Sequence, residues 1–370
     1  MCCAWMEVLP SLLGTSHEYF LSPAIKALGI SIVARGNNGR APIPNALEAR
    51  CAAMRTLRGA VGRENDSSFN ALAASMMCLF LSEMLLPTSS ISCAIHAEGV
   101  ATLIQRHPPA FYASGPAHKL FVLGFRPILI LHSFITRRPS FLAADSWKTE
   151  PFGHVAPTPL QALMNDLSVV PATLEELDAC KLMPANRSSA VVEKSLITLV
   201  EVVNKLTQSY HSTSASRSLW WYVPRAGNKV SVWFPDLSLA CYQTNYWAFW
   251  IICVLNIRQL REDYPDLRGK EVQLNGHAPE SQNISEQLIE LSIRILQSIE
   301  FHIQDEMKVY GVISAAIPFQ TAFYLLKKSD GSDGLCSGTY NQVLSKIAQK
   351  GYQDMLINED HPFRYPELAA

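Results

Sequence analysis

The sequence predicts an all-α fold, a single large multi-helical domain. Three observations carry the expectation: apolar residues recur at helical spacing along the chain, only one short stretch alternates in the strand manner, and glycine, at 18 of 370 residues, is too sparse for a turn-rich β protein. Hydrophobic residues make up 48% of the chain and charged residues 17%, enough apolar surface for a large core.

Each helix has its own signature. Asn45 and Glu48 form a capping-box-like start ahead of Leu47, Cys51, Met54 and Leu57. Asp66 stands where it would cap a helix over 69–86, which Pro87 ends, and a helix over 91–106 stops before Pro108-Pro109. An apolar stretch over 121–135 is interrupted by Arg126-Pro127. Val192, Leu196, Leu199, Val203, Leu206 and Tyr210 make one helical stripe, with Glu201 and Lys205 paired on another face. The stripe is under three heptads long, so it reads as an internal packing helix rather than a dimer seam. Ile284, Leu288, Leu291, Ile295 and Ile299 repeat the pattern behind Asn283 and Glu286. The alternating stretch, 230–234, stands alone and reads as an extended loop piece.

Polar or Pro/Gly-rich breaks fall at 35–44, 148–159, 212–235, 264–282 and 329–338. Breaks of loop length separate helices within one domain, assigned to 1–330, with 331–370 a partly helical C-terminal extension.

Lys and Arg number 31 against 32 Asp and Glu, a net charge of -1, which exerts no overall pull on nucleic acid. The densest basic pairs, Arg137-Arg138 and Lys327-Lys328, read as solvated faces. Nine scattered cysteines, an odd number without zinc-ligand spacing, read as reduced thiols of an intracellular protein, and no metal is expected. Residues 1–7 have no basic start and carry Glu7, unlike a secretory signal. The longest apolar run, 71–86, contains Ser75, Ser82 and Glu83 and falls short of the roughly 20 residues of a span, so a soluble chain off the membrane is expected.

No G-x-G-x-x-G, P-loop, G-x-S-x-G or H-E-x-x-H string occurs, and no cofactor is expected. His96 and His118 read as hydrogen-bonded structural histidines. The acidic run Glu262-Asp263-Tyr264-Pro265-Asp266 contains a proline that ends a helix, and reads as a solvated terminus rather than a metal-diphosphate site.

The positive feature is aromatic. Trp220, Trp221, Tyr222, Trp233, Phe234, Tyr242, Tyr246, Trp247, Phe249 and Trp250 crowd one region. Tyr242, Tyr246 and Phe249 share a helical face, with Trp247 and Trp250 adjoining. The cluster is open to two readings, core packing or an aromatic-walled pocket for an apolar molecule. The candidate ligand-binding set is Trp220, Trp221, Tyr242, Tyr246, Trp247, Phe249 and Trp250.

The order of landmarks resembles the fungal-specific transcription factor domain. Glu7-Val8-Leu9-Pro10 and then Pro23-Ala24-Ile25-Lys26-Ala27-Leu28 are similar to its opening helices, and Ala53-Met54-Arg55-Thr56-Leu57-Arg58 to its arginine helix. His96-Ala97-Glu98-Gly99-Val100 with Leu103-Ile104, and Phe134-Ile135-Thr136-Arg137-Arg138-Pro139-Ser140-Phe141-Leu142 before Trp147 and Pro151, follow in the family's order. Tyr246-Trp247 through Leu260, then Ile299 through Tyr324 with Gly311 and Pro318-Phe319, resemble its late helices. The zinc cluster, basic linker and dimerising coil that precede this region in the family have no counterpart in the sequence.

The resemblance implies a regulator without its own DNA-reading module, in the nucleus or cytoplasm. It would act as a co-regulator beside a full-length transcription factor in fungal secondary metabolism, or sense an apolar small molecule, and would not bind DNA sequence-specifically. The alternative is an enzyme recruited on the same scaffold, a cyclase or isomerase acting in the aromatic pocket.

Overall fold

The structure, a computed structural model, describes residues 4–14, 18–35, 39–61, 68–89, 91–182, 189–226, 229–265, 284–329 and 335–352. Of these, 82% are helical and only two short strands occur, so the fold is all-α. The helices are α1 (Leu9–Leu12), α2 (Glu18–Ala34), α3 (Ile43–Val61), α4 (Phe69–Leu85), α5 (Ser92–Ile104), α6 (Gly115–Leu120), α7 (Arg126–Thr136) and α8 (Asp145–Thr149). They continue with α9 (Pro159–Leu167), α10 (Val170–Leu182), α11 (Ser189–Ser216), α12 (Leu237–Asp263), α13 (Ile284–His302), α14 (Lys308–Ser329) and α15 (Leu335–Gln349). Strands β1 (Trp221–Arg225) and β2 (Lys229–Trp233) lie between α11 and α12.

The chain divides into two compact units, one of Met1–His132, Ala144–Ala156 and Leu344–His361, the other of Ser133–Ala143, Pro157–Val343 and Pro362–Ala370. In the first, α4 is the central helix. It is buried at 14 of its 17 positions, so its neighbours α2, α3 and α5 must cover it on several sides. Ala71, Ala73 and Ala74 present little side chain, which allows close approach of those neighbours.

This unit buries one ion pair and satisfies it. Arg50 of α3 pairs with Glu83 of α4, and both are about as buried as the apolar core. The guanidinium also donates to Ser82 Oγ at 3.1 Å, to the Ser82 carbonyl at 2.9 Å and to the Leu86 carbonyl at 3.0 Å, and so caps the open end of α4. The other Glu83 oxygen accepts from the Thr88 backbone, the Thr88 hydroxyl and the Ser92 hydroxyl, each at 2.6 Å. Burial pushes the Glu83 carboxyl upward, but the Ser92 and Thr88 hydrogen bonds and the Arg50 charge outweigh it and hold the group below its ordinary value.

Several expectations are corrected. Helix α3 begins at Ile43, so Asn45 lies inside its first turn rather than at the cap; Pro44 sits in that turn, where a missing N–H leaves no bond unmade. Asp66 and Asn283 lie outside the described residues. Arg126-Pro127, which interrupts the apolar run over 121–135, does not end the helix there, because the turn ahead of it, Phe121–Phe125, widens to π geometry and the Arg126 amide bonds back to the Phe121 carbonyl. A wider turn accommodates the proline ring that would otherwise clash with the preceding coil. The stretch 230–234 does not stand alone: it pairs antiparallel with β1 in the register Trp221↔Trp233 through Arg225↔Lys229. The break at 212–235 likewise begins late, since α11 continues to Ser216.

In the second unit α12 is the buried axis, with 20 of its 27 residues inside. Helices α9, α11, α13 and α14 surround it, and β2 packs on α13. Asp236 starts α12 by accepting from the Leu239 amide at 2.9 Å. The predicted stripe on α11 is its buried face: Val192, Leu196, Leu199, Val203 and Leu206 are all within the core, and Tyr210 is half-buried.

Arg137 is not part of a solvated basic face. Its backbone takes a left-handed φ of 52°, and its guanidinium grips Asp178 of α10 with two bonds, Nε to Oδ2 at 2.6 Å and Nη2 to Oδ1 at 2.9 Å. Cys51, Cys78, Cys93, Cys180, Cys241 and Cys253 are free thiols. Two helical stretches, Gly115–Thr136 and Asp305–Lys327, are long and apolar enough to cross a membrane by length and composition, but 56% and 72% of their apolar windows are already buried inside the fold.

Candidate functional site

The aromatic residues that crowd 220–250 in sequence separate into three groups in space, all within the second unit. Tyr246 stacks on Tyr210 of α11, ring centroids 4.7 Å apart and nearly parallel, with Tyr242 beside it at 6.5 Å. Phe249, on the same helix, instead meets Phe134 at 4.8 Å. Trp247 points to a third neighbourhood, with Trp220 at 5.9 Å and Phe234 at 6.4 Å, and Phe234 in turn meets Phe301 at 5.2 Å and His302 at 6.1 Å.

Of the seven candidate residues, Tyr242, Tyr246, Trp247, Phe249 and Trp250 are buried, Trp220 is half-buried, and Trp221 is 44% exposed on the outer face of the hairpin. Trp221 therefore does not join the others. Trp220 lies just ahead of β1 and meets Trp247 and Arg294, whereas Trp221 opens the strand with its ring exposed. The two tyrosines turn toward α11. Burial raises both phenols, while the Thr213 and Ser209 hydroxyls pull Tyr242 part of the way back and the Thr207 hydroxyl does so for Tyr246.

The hairpin is fixed by charge as well as by packing. Arg225 lies 5.3 Å over the Trp233 ring and donates to Glu300 of α13 at 3.1 Å, and the Ser231 hydroxyl donates to the same carboxylate oxygen at 2.5 Å. Arg294 of α13 stacks over Trp220 at 5.1 Å. These contacts hold Trp220, Trp233 and Phe234 against α12 and α13.

Polar atoms inside this aromatic region lack partners. Gln243 is 0% exposed, and among the described residues neither its Nε2 nor its Oε1 has a hydrogen-bond partner. His302, also fully buried, turns Nδ1 toward the Gly311 carbonyl and the Ser314 hydroxyl, each at 3.2 Å, while its Nε2, like Trp233 Nε1, has no hydrogen-bond partner among the described residues. Burial drives the His302 ring down to about 4, the Gly311 carbonyl opposing, so at neutral pH the ring is uncharged.

Backbone geometry holds His302 in place. A Cβ on Gly311 would lie 1.9 Å from the His302 carbonyl oxygen, so only glycine lets α14 start this close to the end of α13. Lys308, the first residue of α14, takes φ 52° and ψ −145°, a region that side-chain-bearing residues rarely adopt.

Sequence reasoning missed Gln243 and His302. Gln243 did carry a signal: it is a long polar side chain between Tyr242 and Tyr246, in the part of the helix that the aromatic residues mark as buried. The acidic run at the end of α12 is engaged locally, Glu262 with Arg258 at 2.9 Å and Asp263 with Lys181 at 3.2 Å, and Asp266 lies outside the described residues. His118 bonds the Tyr112 carbonyl at 2.8 Å, the structural role expected of it. Among the described residues no three His, Cys, Asp or Glu side chains gather closely enough to hold a metal ion.

Compared with known proteins, the chain matches no family model, no curated protein and no solved structure.

Proposed function

We propose that this chain is a ligand-sensing regulatory module, intracellular and acting beside a partner that carries the DNA-reading element. The observation that carries the reading is the conjunction in one unit of aromatic walls and unanswered buried polar atoms, at Trp247, Phe234, Gln243 and His302. Binding sites for small molecules are mostly apolar and aromatic with a few polar groups that fix orientation, and that is the composition found here. A balanced net charge of -1 supports a module that leaves DNA contact to its partner. The resemblance of the sequence landmarks to the fungal-specific transcription factor domain supports the regulatory role.

Tryptophan emission tests the reading directly, since five of the seven tryptophans, Trp220, Trp221, Trp233, Trp247 and Trp250, lie at or beside the region. Titrating the full chain with a panel of apolar metabolites is expected to give at least one saturable change in emission, which Trp247→Leu abolishes while circular dichroism stays helical. Silence across the panel from a folded chain would sink the proposal.

A further inference from the structure

We infer that residues 4–12 form a removable strap on the first unit, and that the slot filled by Trp5 accepts, once the strap lifts, an apolar bicyclic aromatic ring from another molecule. This slot belongs to a different unit from the aromatic region described above and does not rest on the ligand-sensing reading.

Trp5 is 0% exposed and is among the largest side chains that the fold hides completely. It reaches that depth from the short helical turn Ala4–Val8, which packs on α6 and on the π turn Phe121–Phe125. Where the ring lies, the π turn presents bare backbone. A Cβ on Gly124 would stand 3.3 Å from Cγ and Cδ1 of the Trp5 indole, and 3.3 Å from the terminal methyl of Met77 on α4. Such distances are tighter than ordinary contact, so glycine at 124 makes the room that the ring occupies. Met77, bordering the same point, is unbranched and adapts to rings of differing outline.

What holds the strap is slight beside the depth of its tryptophan. Among the described side chains of 4–12 only Trp5 and Val8 are buried, and α1 buries none. On the outer side Glu7 meets Lys119 at 3.6 Å, a pairing between exposed side chains that contributes little in water. Segments with few buried apolar side chains open locally, ahead of global unfolding. Helix α4, buried at 14 of its 17 positions, stands at the other limit. Lifting the strap would leave an apolar slot facing water, which favours a new apolar occupant.

The seat of Trp5 also defines which ring suits the slot. Its Nε1 has no hydrogen-bond partner among the described residues, so nothing there answers the indole N–H. A ring of the same outline without that donor escapes the cost of stripping it from water. Benzothiophene, in which sulfur replaces the N–H, is such a ring.

The test uses the full chain carrying Trp5→Ala, with benzothiophene and indole as probes, read by calorimetry and thermal unfolding. The variant is expected to bind benzothiophene saturably, about tenfold more tightly than indole, with a Tm that rises with probe concentration. The unaltered chain, where the strap competes, is expected to bind it at least about tenfold more weakly. Adding Gly124→Val to the variant is expected to abolish binding. A folded Trp5→Ala chain that binds neither probe, or binds equally well with Gly124→Val, would overturn the slot, and a preference for indole would overturn the ring assignment. Hydrogen exchange on the unaltered chain decides the matter if Trp5→Ala fails to fold. Amides over 5–12 are expected to exchange at least about tenfold faster than those of α4, and exchange of both through one common opening would show that the strap does not lift.

Discussion

Two regions of this molecule bury polar groups among apolar side chains, and they do so in opposite ways. In the first unit Arg50 and Glu83 enter the core together and bring Ser82, Thr88, Ser92 and two backbone carbonyls to answer them. In the second, Gln243 and His302 enter the core with Nε2 and Oε1 of one and Nε2 of the other unanswered. Burial removes both from water, the charged pair at the greater penalty, and the two regions differ in what replaces the water. Complete satisfaction marks an arrangement whose task is to hold three helices in register. Incomplete satisfaction leaves polar atoms without partners among the described residues, which is the feature the proposed ligand-sensing reading rests on.

Removing one side of the satisfied pair should produce the largest effect. Arg50→Leu leaves the Glu83 carboxylate buried with its helix-end carbonyls uncapped, and is expected to lower the unfolding free energy by about 3–5 kcal/mol. Urea denaturation followed at 222 nm checks this, and a loss below about 1 kcal/mol would mean that the pair is solvated rather than buried.

The next effect is in pH. His302 in the unfolded chain takes up a proton near its ordinary 6.5, whereas in the folded protein burial delays protonation to about 4. Between those values the unfolded state binds more protons, so the histidine's contribution to stability falls as pH falls, by up to about 1.4 kcal/mol per pH unit. The wild-type curve minus the His302→Asn curve is expected to slope across that window and flatten above it. A flat difference throughout would show the ring to be reachable by water.

Smallest, and opposite in sign to the first, is the response at Gln243. Gln243→Leu removes an unanswered donor and acceptor without emptying the space, so the unliganded chain is expected to gain about 1 kcal/mol. Thermal unfolding measures it. A loss of similar size would mean that the amide is already satisfied, and the contrast between the two regions would disappear.

Much of the fold was legible in the residues. The α11 stripe from Val192 to Leu206 is buried as its spacing requires, α4 stops ahead of Pro87, and α13 follows the Ile284 to Ile299 repeat. The hairpin was half legible. The stretch 230–234 shows strand alternation, but the partner strand, Trp221–Arg225, contains Pro224 and two adjacent aromatics, a pattern that masks the period of two. At the candidate site the aromatic residues were visible as a group, but their division among α11, the hairpin and α7 was not. Side chains four apart share a helix face, yet which neighbour each meets depends on elements far away in sequence, Phe134 for Phe249 and Tyr210 for Tyr246.

By itself, then, the sequence determined the helical class, most helix cores and the aromatic character of one region, because periodicity and local capping act within a few residues. Only the tertiary structure decided that Trp221 faces outward, that Arg137 grips Asp178 instead of water, and that Gln243 sits in the core without a hydrogen-bond partner among the described residues. Burial and hydrogen-bond satisfaction are properties of what packs around a side chain. For these residues that environment comes from distant parts of the chain, which no local pattern encodes.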